Sequence, residues 1–304
     1  MTKKLKSLIE EHNRITIFIC SNVRGDSIPI ALGIYTLLKT SKKQVEVVNY
    51  GKSLPIQLDF LPYFSKIKKS IDYNDSLIIS CDVKNINLLS FDLDERMIVN
   101  LEYQQNDIYN MFISQSVYEL FKEIYPISKE VARCFYTALL LETKYFTVMN
   151  ASSDTFLFAS ELIAYNIEVQ EIVVNLKQRC SLASIRILSS TLNTLELKKS
   201  GELAFLYASR EKILESGAMM IDMLDIIEHV IALTTVKLAC IFIEQEDSIE
   251  VLIRSKNVDI SQLGMAFSAS ASRDVLKFEI KNIEKESLLL TIEEEIKRIG
   301  ILDA

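Results

Sequence analysis

Ile15–Leu38 reads ITIFICSNVRGDSIPIALGIYTLL. An apolar run rich in β-branched residues, Ile15–Cys20, stops at the polar turn Ser21-Asn22-Val23-Arg24-Gly25-Asp26. Beyond it Ile30, Ile34, Leu37 and Leu38 recur at helical spacing. The pattern predicts strand, loop and helix, the first half of a βαβ unit. In open parallel sheets such loops sit at the carboxyl ends of the strands, where ligands bind. Arg24 and Asp26 are therefore expected to face whatever this chain binds.

Upstream, residues 1–14 read as a charged, amphipathic leading helix without a hydrophobic signal core. Downstream, 45–49 (VEVVN), 77–81 (LIISC) and 97–100 (MIVN) read as further strands, with a loop-like stretch at 54–64 around Pro55 and Pro62. Strands separated by helical segments predict an α/β domain with a doubly wound parallel sheet. From Ser128 the periodicity is helical, over 129–142, 154–166, 169–179 and 182–198. A second, smaller α/β domain is expected from the strand pattern 203–209 (LAFLYAS), helices over 210–216 and 220–233, strands at 236–245 and 249–254, and a last helix over 283–299 that ends at Gly300. The expected organisation is a first domain over 1–190, a connector over 191–201 and a second domain over 202–304, with a cleft between the two.

The chain has 304 residues, about half of them apolar, enough for two packed cores. A net charge of −7 argues against general affinity for duplex nucleic acid or anionic membranes, though not against a local basic pocket. No apolar run approaches the roughly 20 residues of a membrane span. The five cysteines, Cys20, Cys81, Cys134, Cys180 and Cys240, are scattered in apolar company, which predicts reduced, buried thiols in a cytoplasmic protein. No Cys-x-x-Cys pair suggests structural zinc. His12 and His229 read as structural or solvated.

The order of these pieces resembles the DHH/DHHA1 phosphoesterase family, which includes RecJ-type exonucleases and small oligoribonucleases that also dephosphorylate 3′-phosphoadenosine 5′-phosphate. The resemblance covers nearly the whole chain. Its first motif, His-x-x-Pro-Asp-x-Asp, falls on Cys20–Asp26; its second, an Asp closing a strand, on Asp82. The third, Asp-His-His-x-x-Asn-Asp, falls on Leu101–Asp107, where Asn106 and Asp107 survive and the Asp-His-His triplet is Leu101-Glu102-Tyr103. The fourth, Asp-Thr-Gly-x-Phe, falls on Glu142-Thr143-Lys144-Tyr145-Phe146. In the second domain the Arg-Ser strand is Arg254-Ser255, and the Gly-Gly-Gly-His turn falls on Ser268-Ala269-Ser270-Ala271-Ser272.

The resemblance implies two divalent ions, of the manganese type, held by aspartates and histidines of the first four motifs. Such a pair clamps a phosphoryl group and acidifies a bridging water. Of the ligand positions this chain keeps Asp26 and Asp82 and offers Glu102 and Glu142 as substitutes. Cys20 is a soft ligand for a hard ion, Leu101 and Tyr103 supply nothing, and Arg24 repels a divalent cation. The vestigial catalytic candidates are Asp26, Asp82 and Glu142. The candidate ligand contacts are Arg24, Asn106, Asp107, Lys144, Arg254, Ser255, Ser268, Ser270 and Ser272.

The expected function is that of a catalytically impaired homologue, without a metal cofactor, that binds a nucleotide or short oligonucleotide through phosphate, Arg24 standing in for the lost cation. Two alternatives stay open. One is an active manganese-dependent phosphodiesterase with a rearranged site of Asp26, Asp82, Glu102 and Glu142. The other is a structural or interaction protein with an empty cleft, forming a homodimer through apolar surface. Plainer readings also stand beside the individual residues: Arg24 as a surface ion-pair partner, Asp26 as a helix cap, Asp82 as a turn residue, Lys144 as a solvated lysine.

Overall fold

The computed structural model describes residues 2–19, 27–50, 54–81, 98–101, 112–148, 150–269 and 274–302. The chain divides into two compact units, Met1–Arg179 and Cys180–Ala304.

The first unit opens with α1 (Thr2–Glu11) and β1 (Arg14–Ile19), followed by α2 (Ser27–Thr40), β2 (Gln44–Asn49), the two-residue β3 (Ile67–Lys68), β4 (Leu77–Cys81) and β5 (Ile98–Leu101). The strands form one sheet in the order β3-β2-β1-β4-β5, with every pairing parallel. Period-two alternation explains β1: Ile15, Ile17 and Ile19 join the core shared with α2, and Thr16 and Phe18 are buried on the other face. On that face Thr16 Oγ1 donates to the buried Glu46 carboxylate at 2.9 Å, which also accepts from the Asp72 and Tyr73 backbone N–H groups and pairs with Lys68 at 3.3 Å. Glu46 thus fastens the chain between β3 and β4 to the sheet.

Among the described residues of this unit the further α-helices are α3 (Ile113–Lys122), α4 (Lys129–Glu142), α5 (Ser153–Ile163) and α6 (Val169–Gln178). The helix α3 was not expected from the sequence, although Val117, Tyr118 and Phe121 lie on its buried face. The helix α2 is buried over Ser27–Leu38 because it is apolar nearly all round. Gly33 lets it close on α4; a Cβ there would lie 2.9 Å from the buried Phe135 ring.

The second unit begins with α7 (Leu182–Leu192) and continues through β6 (Glu196–Lys198), β7 (Leu203–Ala208), α8 (Arg210–Ser216), α9 (Met220–Ile231), β8 (Leu238–Glu244), β9 (Ser248–Ser255), α10 (Ser261–Ala266), β10 (Val275–Lys281) and α11 (Lys285–Ile299). Its sheet has the order β10-β9-β8-β7-β6, with β7 and β8 parallel and the other neighbours antiparallel. Alternate residues feed two cores: Leu203, Phe205, Cys240 and Phe242 pack with α11, and Ala204, Leu206, Ala239 and Ile241 pack with α7 and α9.

The division falls before α7 rather than at residues 191–201. The physical reason is that Ile187 of α7 lies in the second unit's core and Ser184 Oγ donates to Asp222 of α9. The expected helix over 182–198 ends at Leu192, and Glu196–Lys198 instead pairs with β7. Cys81, Cys134 and Cys240 are buried, and burial pushes the Cys134 and Cys240 thiols up. Cys180 departs from expectation: it is exposed. Gly300 takes φ +71° and caps α11 in the left-handed form expected of it. Among the described residues no helix is long and apolar enough to cross a membrane.

Candidate functional site

Four strand ends of the first sheet share one register row. Asn49 pairs with Ile19, Ile19 with Cys81, and Cys81 with Leu101. The order β3-β2-β1-β4-β5 reverses direction between β1 and β4, the switch point at which open α/β sheets form a ligand crevice beyond their carboxyl ends. The segments onto which the family resemblance places its first three motifs therefore follow neighbouring strands on one edge. Cys20, Arg24, Asp26, Asp82, Glu102, Tyr103, Asn106 and Asp107 themselves lie outside the described residues. One position before the row, Ser80 Oγ donates to Asn100 Oδ1 at 2.7 Å, and in the row Leu101 is buried in the core.

Glu142 closes α4, and its carboxylate is turned to the start of α3. It accepts from the Ser114 backbone N–H at 3.2 Å on both oxygens and from the Ser114 hydroxyl. Helix N-termini present unpaired N–H groups and a partial positive charge, which a carboxylate satisfies. This geometry makes Glu142 a cap for α3. Ser114 was not singled out in the sequence, because its role depends on a residue far away in the chain.

Beyond Glu142 the chain makes a left-handed turn through three consecutive residues, Lys144, Tyr145 and Phe146, at φ 45°, 60° and 63°. Residues with a Cβ enter this region at a cost of about 1–2 kcal/mol each. Local bonds hold it: Tyr145 N–H donates to Leu140 O at 2.8 Å and Phe146 N–H to Thr143 Oγ1 at 3.0 Å. Lys177 lies 3.9 Å above the Tyr145 ring, and Phe146 stacks on Phe156 with centroids 5.0 Å apart. Lys144, which occupies the glycine position of the fourth motif, is half-buried and engaged within the fold rather than a fully solvated lysine.

In the second unit Arg254, near the end of β9, is partly buried, with a side-chain exposure of 11%. Its Nε forms an ion pair with Glu228 of α9 at 3.0 Å, and its Nη1 donates to Asp274. Ser255 directs its hydroxyl to Val258 O at 2.5 Å. Both side chains expected to contact an anion are thus already bonded within the fold. Glu228 and Asp274 were missed in the sequence, although Asp222, Asp225 and Glu228 recur on α9 at helical spacing. Ser268 is exposed and follows α10 at φ 51°, where its N–H bonds Met265 O at 3.2 Å. Ser270 and Ser272 lie outside the described residues.

A two-ion centre requires several hard oxygen and imidazole donors in a small volume. Among the described residues no group of three or more His, Cys, Asp or Glu is placed to hold a metal ion. Of the implied ligand positions that are described, Leu101 offers only carbon and Glu142 holds α3. These residues do not fit the metal pair that the family resemblance implies.

The fold is a known one. It is shared with an exopolyphosphatase-related protein from Bacteroides fragilis, at a TM-score of 0.83 and 18% identity over 98% of this chain and 96% of that one. RecJ from Thermus thermophilus, solved in complex with Mn2+, is similar at a TM-score of 0.51 and 10% identity; the match covers 98% of this chain and 54% of RecJ. At these identities the likeness is one of fold, and the expected α/β architecture with its parallel sheet and second, smaller domain is the one observed. No family model and no curated protein matches the chain.

Proposed function

We propose that this chain is a non-hydrolytic relative of the DHH phosphoesterases that binds a phosphorylated ligand, a nucleotide or short oligonucleotide, at the carboxyl edge of its first sheet. One observation carries this reading: the row Asn49–Ile19–Cys81–Leu101 keeps the strand-end geometry of a ligand site, while Leu101 is a core residue and Glu142 a helix cap. The fold shared with an exopolyphosphatase-related protein and with Mn2+-bound RecJ supports phosphoryl ligands as the class. The same row sends the segments with Arg24, Asp26 and Asp82 out from adjacent strands. Arg24 then takes the electrostatic part of the missing cation, since a guanidinium stays charged and grips phosphate as a bidentate fork. It cannot generate hydroxide, so binding survives where hydrolysis does not. The buried thiols support a reducing, cytoplasmic setting.

The test is thermal unfolding with 5′-AMP and an adenine dinucleotide, with Mn2+ or with EDTA, alongside an assay for nucleotide release. The expected result is stabilisation of about 2–3 kcal/mol at a hundred times Kd. That stabilisation is unchanged by EDTA and lost in Arg24→Ala, and no nucleotide is released. Release that needs Mn2+ and vanishes in Asp82→Ala would establish a working phosphodiesterase instead. Neither binding nor release would leave a structural role.

A further inference from the structure

The second unit's sheet ends at β10, and among the described residues no strand pairs beyond it. Every β10 residue pairs with β9 in one unbroken antiparallel register, from Val275 with Arg254 to Lys281 with Ser248. Ser255 N–H donates to Asp274 O at 2.9 Å, which fixes the parity of that ladder. Hydrogen-bonding positions alternate along an antiparallel pair, so Leu276, Phe278 and Ile280 turn their backbone groups to β9, and Lys277 and Glu279 turn theirs away. Proteins guard such an edge with proline, a bulge or charges that repel a second copy. The strand β10 carries no proline, glycine or bulge, and its exposed residues Lys277, Glu279 and Lys281 alternate in sign. Its other side is apolar: Leu276, Phe278 and Ile280 join the core with α11, and Phe278 stacks on Phe267 with centroids 4.4 Å apart.

We propose that this edge is an interface for a second copy of the chain, the two β10 strands pairing antiparallel about a two-fold axis at Phe278 to join two five-stranded sheets into one. A two-fold axis sets the same patch of both copies against itself. Phe278 is the midpoint of β10, so this register overlaps the two strands over their full length. Lys277 of each copy then lies opposite Glu279 of the other, with the backbone groups of both directed across the junction. On the apolar side Leu276 meets Ile280, and Phe278 meets its counterpart. Moving the axis one residue, to Lys277 or Glu279, sets that residue against its own counterpart. Like charges directly opposite destabilise a strand pair, so charge selects the Phe278 register. Within one copy Glu279 already faces Glu250 across the ladder, and Lys277 is ion-paired to Glu250. Glu279 itself accepts from the neutral Ser248 hydroxyl at 2.5 Å, and a lysine from the second copy offsets its charge.

The experiment is sedimentation equilibrium of the full chain over a concentration series, for the wild type, Lys277→Glu, Glu279→Lys and an equimolar mixture of the two variants, with Tm recorded for each. The expected result is a reversible wild-type dimer. Each substitution alone sets like charges opposite at both Lys277–Glu279 contacts and should raise the dimer Kd by about tenfold or more. In the mixture one copy presents two carboxylates and the other two ammonium groups, so the variants pair with each other at close to wild-type affinity. A wild type that stays monomeric overturns the proposal. A dimer that both variants leave at wild-type affinity also overturns it, because its contact lies elsewhere. Variants that dissociate and fail to pair when mixed overturn it too, because opposed charges then do not explain the loss.

Discussion

Glu142 shows how a single side chain changes role when its neighbours change. Its carboxylate stands where the family resemblance implies a metal ligand, yet both oxygens bond Ser114 at the start of α3. Glu142→Ala should lower stability by about 1–2 kcal/mol in urea denaturation, the cost of losing a helix cap. Mn2+ should leave the melting of both proteins unchanged. Ser268 makes a complementary case. It sits at φ 51°, as does Lys144 at φ 45°, and both positions are glycine in the family motifs. In this chain residues with a Cβ carry the left-handed backbone at both positions. Ser268→Gly relieves that strain at an exposed position and should raise stability by about 0.5–1 kcal/mol, read from the urea midpoint.

Between elements, the contacts that place α3 are polar as well as apolar. The buried Tyr118 hydroxyl on α3 donates to Glu161 of α5 at 2.8 Å, and Lys122 pairs with the same carboxylate at 2.6 Å. Burial works to raise the pKa of Glu161, but the bonds from Lys122 and Tyr118 outweigh it and hold the group below its ordinary value. A carboxyl with a lowered folded pKa stabilises the fold above its unfolded pKa, and that contribution is lost as pH falls through the folded value. Glu161→Gln should therefore cost about 1 kcal/mol at neutral pH. The difference from the wild type should shrink to nothing as pH drops through and below the carboxylate range. A stability-against-pH series for the two proteins measures this directly.

At the scale of the whole molecule, each unit has its own sheet and packs its own core residues, one cluster in the first and two in the second, which makes local opening separable. Phe242 is fully buried in the second unit and stacks on Phe205 with centroids 5.8 Å apart. Phe242→Ala should destabilise that unit by about 3–5 kcal/mol. Hydrogen exchange should speed up across β7, β8 and β9 and stay at wild-type rates in β1 and β4. Exchange that accelerates equally in both units would show a single cooperative fold.

The sequence by itself determined the alternation of strands and helices, the parallel class of the first sheet and the edge from which its motif segments depart. These follow from local periodicity, and Ile15–Leu38 carries both periods within one stretch. It also placed Cys20, Arg24, Leu101 and Tyr103 at positions where the family resemblance implies acids and imidazoles, since residue identity alone settles donor chemistry. It did not reveal α3, α10 or β10, or that α7 belongs to the second unit, because those depend on which apolar face finds a partner. Only the tertiary structure decided that Glu142 caps α3 and that Glu228 and Asp274 hold Arg254. The physical reason is that a hydrogen bond between residues distant in the chain leaves no periodic trace. It exists only once packing has brought its two ends within about 3 Å.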